Sequence, residues 1–417
     1  MPFYASANGD AAALIVGILS IVILIIISII MINNNCHNKK IKEYLFLMLL
    51  IQITIVIIDN YITMFPLMGY DPRAFEGMGW FSYENGVNIG RGTYNDFVIN
   101  PIYKLIKVRA ATVFGAINIF ANLLTNLNLY SILRKLKINL KVIKILMLLS
   151  ALSPLSLIFR SGILREAIII MFVSYSLKYF INFIVNKNNF EIIKAFIFIG
   201  LGALFHSGVI FICSGYFIAL LSGKKNQKIY QIMVSVLIII FFILFKDKFL
   251  EKFGGGEIET IITVNNYTSL RESSSGYLKN ISTTSLVEIL EYLPLFMFYF
   301  LYSPTPEMIR GVQDIITFLL NSCIFIYLTF GSYYFYKKSS KFLDDKEKMI
   351  IKCLFISTLM TIAVFSIGTR NAGTAIRHRD KVILPLIIIT AVLYNKYLFF
   401  KWGNRLRRRE WKNGKTY

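Results

Sequence analysis

The sequence predicts an all-α polytopic membrane protein of about 11–12 transmembrane helices with external loops. Three observations carry that reading. The 417 residues are 56% apolar and only 16% charged, and the mean hydropathy is +0.61. The apolar residues also gather into runs near the roughly 20 residues that a helix needs to cross hydrocarbon. A water-soluble globule of this size does not carry such a composition. No heptad, solenoid period or low-complexity tract interrupts it, so a single integral membrane domain over residues 1–417 is the economical organisation.

The first run, 11–32, lacks the basic residues that precede the apolar stretch of a signal peptide and exceeds its length, which reads as a permanent span. Further runs follow at 44–66, 111–131, 142–159, 163–185, 192–221, 229–245, 286–302, 312–336, 349–367 and 382–400. The formal net charge of +22 comes from 45 Lys and Arg against 23 Asp and Glu. Most of the excess sits in four places: Lys39, Lys40 and Lys42; Arg134, Lys135, Lys137 and Lys141; Lys337, Lys338, Lys341, Lys346 and Lys348; and a basic tail at 401–417 with Lys401, Arg405, Arg407, Arg408 and Arg409. Short cytoplasmic loops collect Lys and Arg. These segments are therefore expected in the cytoplasm, and residues 67–110, 160–165 and 368–381 outside. Topology absorbs the charge, so no nucleic-acid partner is expected.

Lys224, Lys225 and Lys228 create a parity conflict. Placing them inside requires 192–221 to be two short passes turning near His206, and three runs then separate them from the inside loop at Lys337. Either 192–221 crosses once with these lysines outside, or the segment around Pro294 is re-entrant. The second option also places the polar loop 247–285 outside, and it is the preferred one.

Charges near apolar spans need a reason. In residues 153–166, Pro154 and Gly162 break the helical run, and Ser161 is placed to cap a new helix starting at Gly162. Arg160 and Arg165 then form an external patch beside free backbone N–H groups, with Glu166 next to them as a candidate acid or base. Guanidinium forks match phosphate oxygens in a bidentate way. The competing reading is that both arginines snorkel to headgroups. The second cluster, 368–380, holds Arg370, Arg377, His378, Arg379 and Asp380. With Gly373 turning the chain and Thr374 as cap, Arg377 falls in the first turn of the last helix, where a cation opposes the dipole unless an anion is bound. A lipid-headgroup contact is the alternative. His206, within an apolar run, could serve as a general base or as an interhelical hydrogen bonder.

Other outer residues are less specific. Asp71 and Glu76 could act as acid or base or contact an acceptor, while Trp80 is read as an interfacial anchor. The loop with Tyr267 and Arg271, hinged at glycines 254–256, resembles a lid. Four cysteines give no disulfide framework. No P-loop, dinucleotide fingerprint, nucleophile elbow or metal-ligand spacing occurs. No cofactor is therefore expected, and the energy and the electrophile must come with the substrate.

Together, the Arg-containing break at 153–166, His206-Ser207-Gly208, Leu293-Pro294 followed by Ser303-Pro304, and the late run from Gly373 to Arg379 resemble the bacterial polysaccharide polymerases of the Wzy type, which act in O-antigen and capsule assembly. The resemblance spans about residues 150–385. It implies that undecaprenyl-diphosphate-linked oligosaccharide repeat units are joined by glycosyl transfer at the outer face of the inner membrane, without metal or nucleotide. A flippase, a chain-length regulator and membrane lipids are the implied partners. By the same resemblance Arg160, Arg165, Arg370 and Arg377 would bind the diphosphate, with His206 and His378 as candidate catalytic groups; Arg379, in the second cluster, is a further candidate for the diphosphate. Two other classes stay open: a GT-C-like lipid-phosphate-sugar-dependent glycosyltransferase, whose acid would lie at Asp71 or Glu76, and a lipid-linked-oligosaccharide flippase or other transporter.

Overall fold

The computed structural model describes residues 10–61, 71–86, 92–222, 275–278, 281 and 286–412; Tyr267, Arg271 and the run 229–245 lie outside them. The described helices are α1 (Ala11–Asn35), α2 (Lys39–Tyr61), α3 (Asp71–Asn85), α4 (Asn100–Ile106), α5 (Thr112–Lys135), α6 (Leu140–Leu152), α7 (Glu166–Asn186), α8 (Asn189–Phe205), α9 (Cys213–Leu221), α10 (Leu286–Tyr302), a broken span Asp314–Phe342, α11 (Asp345–Ile367) and α12 (Ala372–Lys412). Among the described residues no strand forms beyond an isolated bridge between Gly276 and Asn371. Seven of the helices are long and apolar enough to cross a membrane. The protein is thus an all-α, multi-pass membrane protein.

Among the described residues the long helices are fewer than the apolar runs because 142–159 and 192–221 are interrupted and 286–302 forms a helix of 17 residues. Residues 142–159 become α6 plus a π-helical turn at Leu155–Phe159. Residues 192–221 stop at His206 and resume as a 3-10 turn, Ser207–Ile212, leading into α9. The last helix departs from expectation in the other direction. It begins at Ala372, ten residues before the apolar run at 382, so Arg377, His378, Arg379 and Asp380 are helical and do not form a loop. Its cap is Asn371, whose Oδ1 accepts from the Thr374 N–H at 3.2 Å, and Thr374 itself lies within the helix. Arg377 consequently sits in the second turn.

The chain divides into two compact units. The first comprises Met1–Tyr130, Met147–Ser176 and Phe198–Ser207. In it α1 packs along α2, and α5 reaches α2 where a side chain on Gly115 would strike Val56. The α5 residues Asn118, Asn122 and Asn126 recur every four positions and so share one helix stripe. They form a buried polar spine: Asn122 Nδ2 donates to Gln52 Oε1 (3.2 Å) and Ser156 Oγ (2.9 Å), and Ser150 Oγ donates to Asn126 Oδ1 (2.9 Å). Gln52 Nε2 in turn donates to the Ser156 carbonyl at 2.7 Å, holding the π turn in place.

The second unit comprises Ser131–Leu146, Leu177–Ile197 and Gly208–Tyr417. Its centre is the antiparallel pair α11 and α12, and residues 379–393 of α12 are buried without interruption. A capping box starts α11: Asp344 accepts from the Glu347 N–H at 2.8 Å, and Glu347 accepts from the Asp344 N–H at 2.9 Å. The segment from Ser207 to Leu221 runs antiparallel to α11, with Gly208 at Phe365, Ser357 bonded to the Ile212 carbonyl and Gly215 against the Cys353 backbone. Leu221 thus heads toward the start of α11. Val185, just before α8, is at that same end, since Lys346 Nζ donates to its carbonyl at 3.0 Å. Residues 189–221 therefore go out and back, reversing at His206.

α10 behaves differently from a full crossing. Phe296 lies under Arg370 at the head of α12, Phe300 stacks on Phe365, and the Leu301 and Ser303 carbonyls meet Arg379, which is deeper along α12. Tyr302 Oη then pairs with Thr329 Oγ1 at 2.9 Å, midway along the broken span. That span runs parallel to α12, with Ser332 at Thr390 and Phe342 at Phe400. α10 therefore enters from the Arg370 end and stops roughly 20 Å short of Phe342 at about 1.5 Å per residue. The short reach of α10 agrees with the re-entrant option preferred from the sequence, while the run 229–245, on which the lysine count also depends, lies outside the described residues.

Three of the basic segments meet at the other end of this unit. Asn139 N donates to Asn395 Oδ1 (2.9 Å), Lys396 pairs with Glu347 (2.9 Å), and Phe342 stacks on Phe400. The 23 residues of α11 separate this lysine-bearing end from Arg370 by roughly 35 Å.

Candidate functional site

In the second unit, residues 275–278 are pinned to the α11–α12 turn. Tyr277 N donates to the Arg370 carbonyl and Ala372 N to the Ser275 carbonyl, both at 3.0 Å. Tyr277 Oη donates to the Thr369 carbonyl at 2.5 Å, and its ring stacks on Tyr299 at 5.3 Å. Burial pushes the Tyr277 phenol well above its usual range, against the opposing pull of Arg379 and Arg370. Arg370 is buried, lies 4.6 Å over the Phe296 ring and donates through Nη1 to the Ile281 carbonyl. Burial lowers its pKa, with Tyr277 working in the opposite sense.

Arg379 is 0% exposed. Its Nη1 donates to the carbonyls of Leu301 (2.7 Å) and Ser303 (2.6 Å), and its guanidinium lies 5.1 Å from the Phe325 ring centroid. Its Nε and Nη2 have no hydrogen-bond partner among the described residues. Those carbonyls lie at the end of α10. His378 and Lys381 lie on the same helix: His378 Nδ1 is 3.3 Å from Thr369 Oγ1, and Lys381 Nζ lies 5.8 Å from the Phe365 ring. Arg377 and His378 are half-buried, and Asp380 is buried. On the turn that follows α10, Glu307 accepts from Thr305 Oγ1 (2.7 Å) and Tyr299 Oη (3.3 Å), which holds its carboxyl below the usual range.

In the first unit the break at Pro154 exists, but its geometry differs from the expected one. The next helix starts at Glu166, four residues after Gly162. Ser161 does not cap it; its hydroxyl donates back to the Leu157 and Ile158 carbonyls. Nor do Arg160 and Arg165 form one exposed patch. Arg160 is buried at 1% exposure, with Nη1 donating to Asn122 Oδ1 at 3.0 Å. Arg165 reaches the Phe205 carbonyl at 3.1 Å, which brings it to the turn that carries His206. His206 and Glu166 are both buried, and Tyr94 lies within electrostatic reach of Glu166. Asn118 Nδ2 fixes the intervening loop by donating to the Gly162 carbonyl and to the Leu164 carbonyl at 2.9 Å.

Glu76 is committed elsewhere. Its carboxylate takes a bidentate pair from Arg109, through Nε and Nη2 at 2.8 Å each, plus the Tyr103 hydroxyl at 2.6 Å. Burial alone would lower the Arg109 pKa, but the Glu76 carboxylate reverses that and leaves it raised. This buried pair reads as a structural tie. Trp80 joins it, edge-on to Tyr103 at 4.9 Å. Asp71 heads α3, half-buried.

The fold thus brings Arg370, Arg377, His378 and Arg379 together in one unit and Arg160, Arg165, Glu166 and His206 in the other. Sequence reasoning missed the asparagine spine and Arg109. The first was readable as three asparagines at i, i+4 and i+8 in an apolar helix; nothing local marks the second. No three of His, Cys, Asp and Glu gather as metal ligands would among the described residues. No protein-family model matches this chain, and no curated protein and no solved structure matches it either.

Proposed function

We propose that the protein polymerises undecaprenyl-diphosphate-linked oligosaccharide repeat units by glycosyl transfer at the outer face of a bacterial inner membrane. The observation that supports this most is Arg379. A fully buried guanidinium is strongly unfavourable unless its charge and its donors are matched. Two carbonyls satisfy one nitrogen of Arg379 without cancelling the charge, and it has no carboxylate partner among the described residues. An anionic ligand with several oxygens supplies both needs, and Arg presents the fork that fits it. Arg370 and Arg377 lie on the same turn and helix and add to the same field.

In the proposed reaction an acceptor hydroxyl oxygen bonds to the anomeric carbon while the bond from that carbon to the lipid diphosphate breaks. The diphosphate leaves with the electron pair, and the hydroxyl proton passes to a base. His206, His378 and Glu166 are the candidates for that base, and the arginines stabilise the charge growing on the leaving group. Arg160 and Arg165 are the corresponding anion-binding candidates in the first unit.

The test is chain lengthening by purified protein given lipid-linked repeat units in detergent. Wild type is expected to produce a polymer ladder. Arg379→Lys and Arg370→Lys keep the charge but lose the fork, and should reduce the rate by about 10²–10³. Wild-type ladders from both variants would reject the arginine assignment. Loss of activity confined to Asp71→Asn would favour the GT-C-like reading.

A further inference from the structure

At the lysine-bearing end of the second unit, a groove of about 650 Å³ is lined by Asn139 and Lys141 at the start of α6 and by Asn395, Lys396, Leu398, Phe399 and Lys401 on α12. Its floor is fixed by the hydrogen bond from Asn139 N to Asn395 Oδ1. Lys396 is already paired with Glu347 at 2.9 Å. Lys141 and Lys401 are exposed and make no ion pair among the described residues, which leaves two ammonium groups facing one concavity.

Apolar surface adjoins the charged part directly. Phe399, in the lining itself, is 71% exposed, and Ile145, one turn beyond Lys141 on the same stripe of α6, is 45% exposed. Side chains this apolar, beside a cationic groove at the end of membrane-spanning helices, match a ligand with an anionic head and a hydrocarbon tail. A free phosphate would use only half of this surface.

We infer that this groove is a binding site for an anionic phospholipid, with Lys141 and Lys401 holding the phosphodiester and Phe399 and Ile145 flanking the acyl chains. The volume suits a headgroup, and basic pockets between membrane helices draw anionic lipid in this way. The site lies at the opposite end of α11 from Arg370, so it is separate from the proposed reaction and stands or falls without it.

The experiment is native mass spectrometry of the full-length detergent-purified protein titrated with phosphatidylglycerol or phosphatidylcholine. Wild type is expected to retain phosphatidylglycerol selectively. The double variant Lys141→Gln/Lys401→Gln should bind it at least about tenfold more weakly. Lys337→Gln/Lys338→Gln removes the same charge from the same end, outside the groove, and should bind like wild type. Phosphatidylglycerol should also raise the thermal midpoint of wild type and not of the groove variant, while the two proteins unfold alike without lipid. Equal loss in both double variants would overturn the proposal in favour of diffuse surface charge. Displacement of the lipid by millimolar inorganic phosphate would overturn it in favour of a simple anion site.

Discussion

Arg160, Arg370 and Arg379 are buried almost completely, yet each is accommodated differently. Arg160 takes the Asn122 side-chain oxygen, and Arg370 lies on an aromatic ring with a carbonyl partner. Arg379 keeps two nitrogens without acceptors among the described residues. Arg109 is different again, being neutralised by Glu76. Removing one member of a buried pair strands the other, at a cost of about 3–5 kcal/mol. Glu76→Gln is therefore expected to lower stability by that order, and a thermal melt in detergent against wild type would show it. A Glu76 variant that melts with wild type but loses activity would restore Glu76 as a chemical group. The residue types at these positions were legible in the sequence because charge within apolar runs stands out. Their partners were not, since Asn122 lies 38 residues from Arg160 and Glu76 lies 33 residues from Arg109.

At the level of elements, hydropathy located most spans but misjudged their ends. The start of α12 is the clearest instance. Arg377, Arg379, Asp380 and Lys381 count against a span in any hydropathy sum, but Arg379 finds a carbonyl partner on α10 and Lys381 one on its own helix, at Arg377, so the helix extends over them. The breaks at Pro154 and His206 were visible as Pro and as a polar interruption. The π turns at Leu155–Phe159, Phe318–Ser322 and Tyr327–Gly331 carry no such mark. Close packing yields a prediction here. A side chain at Gly215 would meet the Cys353 carbonyl, a backbone atom that cannot swing aside. Gly215→Ala should push α9 off α11 and destabilise by about 1–3 kcal/mol, readable as a lowered thermal midpoint. An unchanged midpoint would mean that the two helices do not approach this closely.

Over the whole chain, the distribution of lysine was the most informative feature, because it orders loops that share no sequence pattern. In the second unit Lys141, the 337–348 loop and Lys401 come to one end, and Glu307 and Arg370 to the other. Single cysteines placed at Lys141, Lys341 and Glu307 in a background without the four native cysteines test this. A membrane-impermeant maleimide should label Lys141→Cys and Lys341→Cys from the same side and Glu307→Cys from the opposite one. Labelling of all three from one side would refute the helix directions described for this unit. Hydropathy alone did not reveal that α10 stops short, because a largely apolar helix of 17 residues looks alike whether it crosses or turns back; the lysine parity is what singled out the segment around Pro294.

The two π turns of the broken span bear on how this protein tolerates change in length. A π turn holds one residue more than the α turn it replaces, and Leu319 and Leu320, within the first, face outward. Deleting either would let the turn tighten into an ordinary one without rotating the helix that follows it. The same loss inside α11 would swing every later side chain by about 100° around its axis. Single-codon deletions should thus be survivable at Phe318–Ser322, and at Tyr327–Gly331 by the same reasoning, and ruinous inside α11.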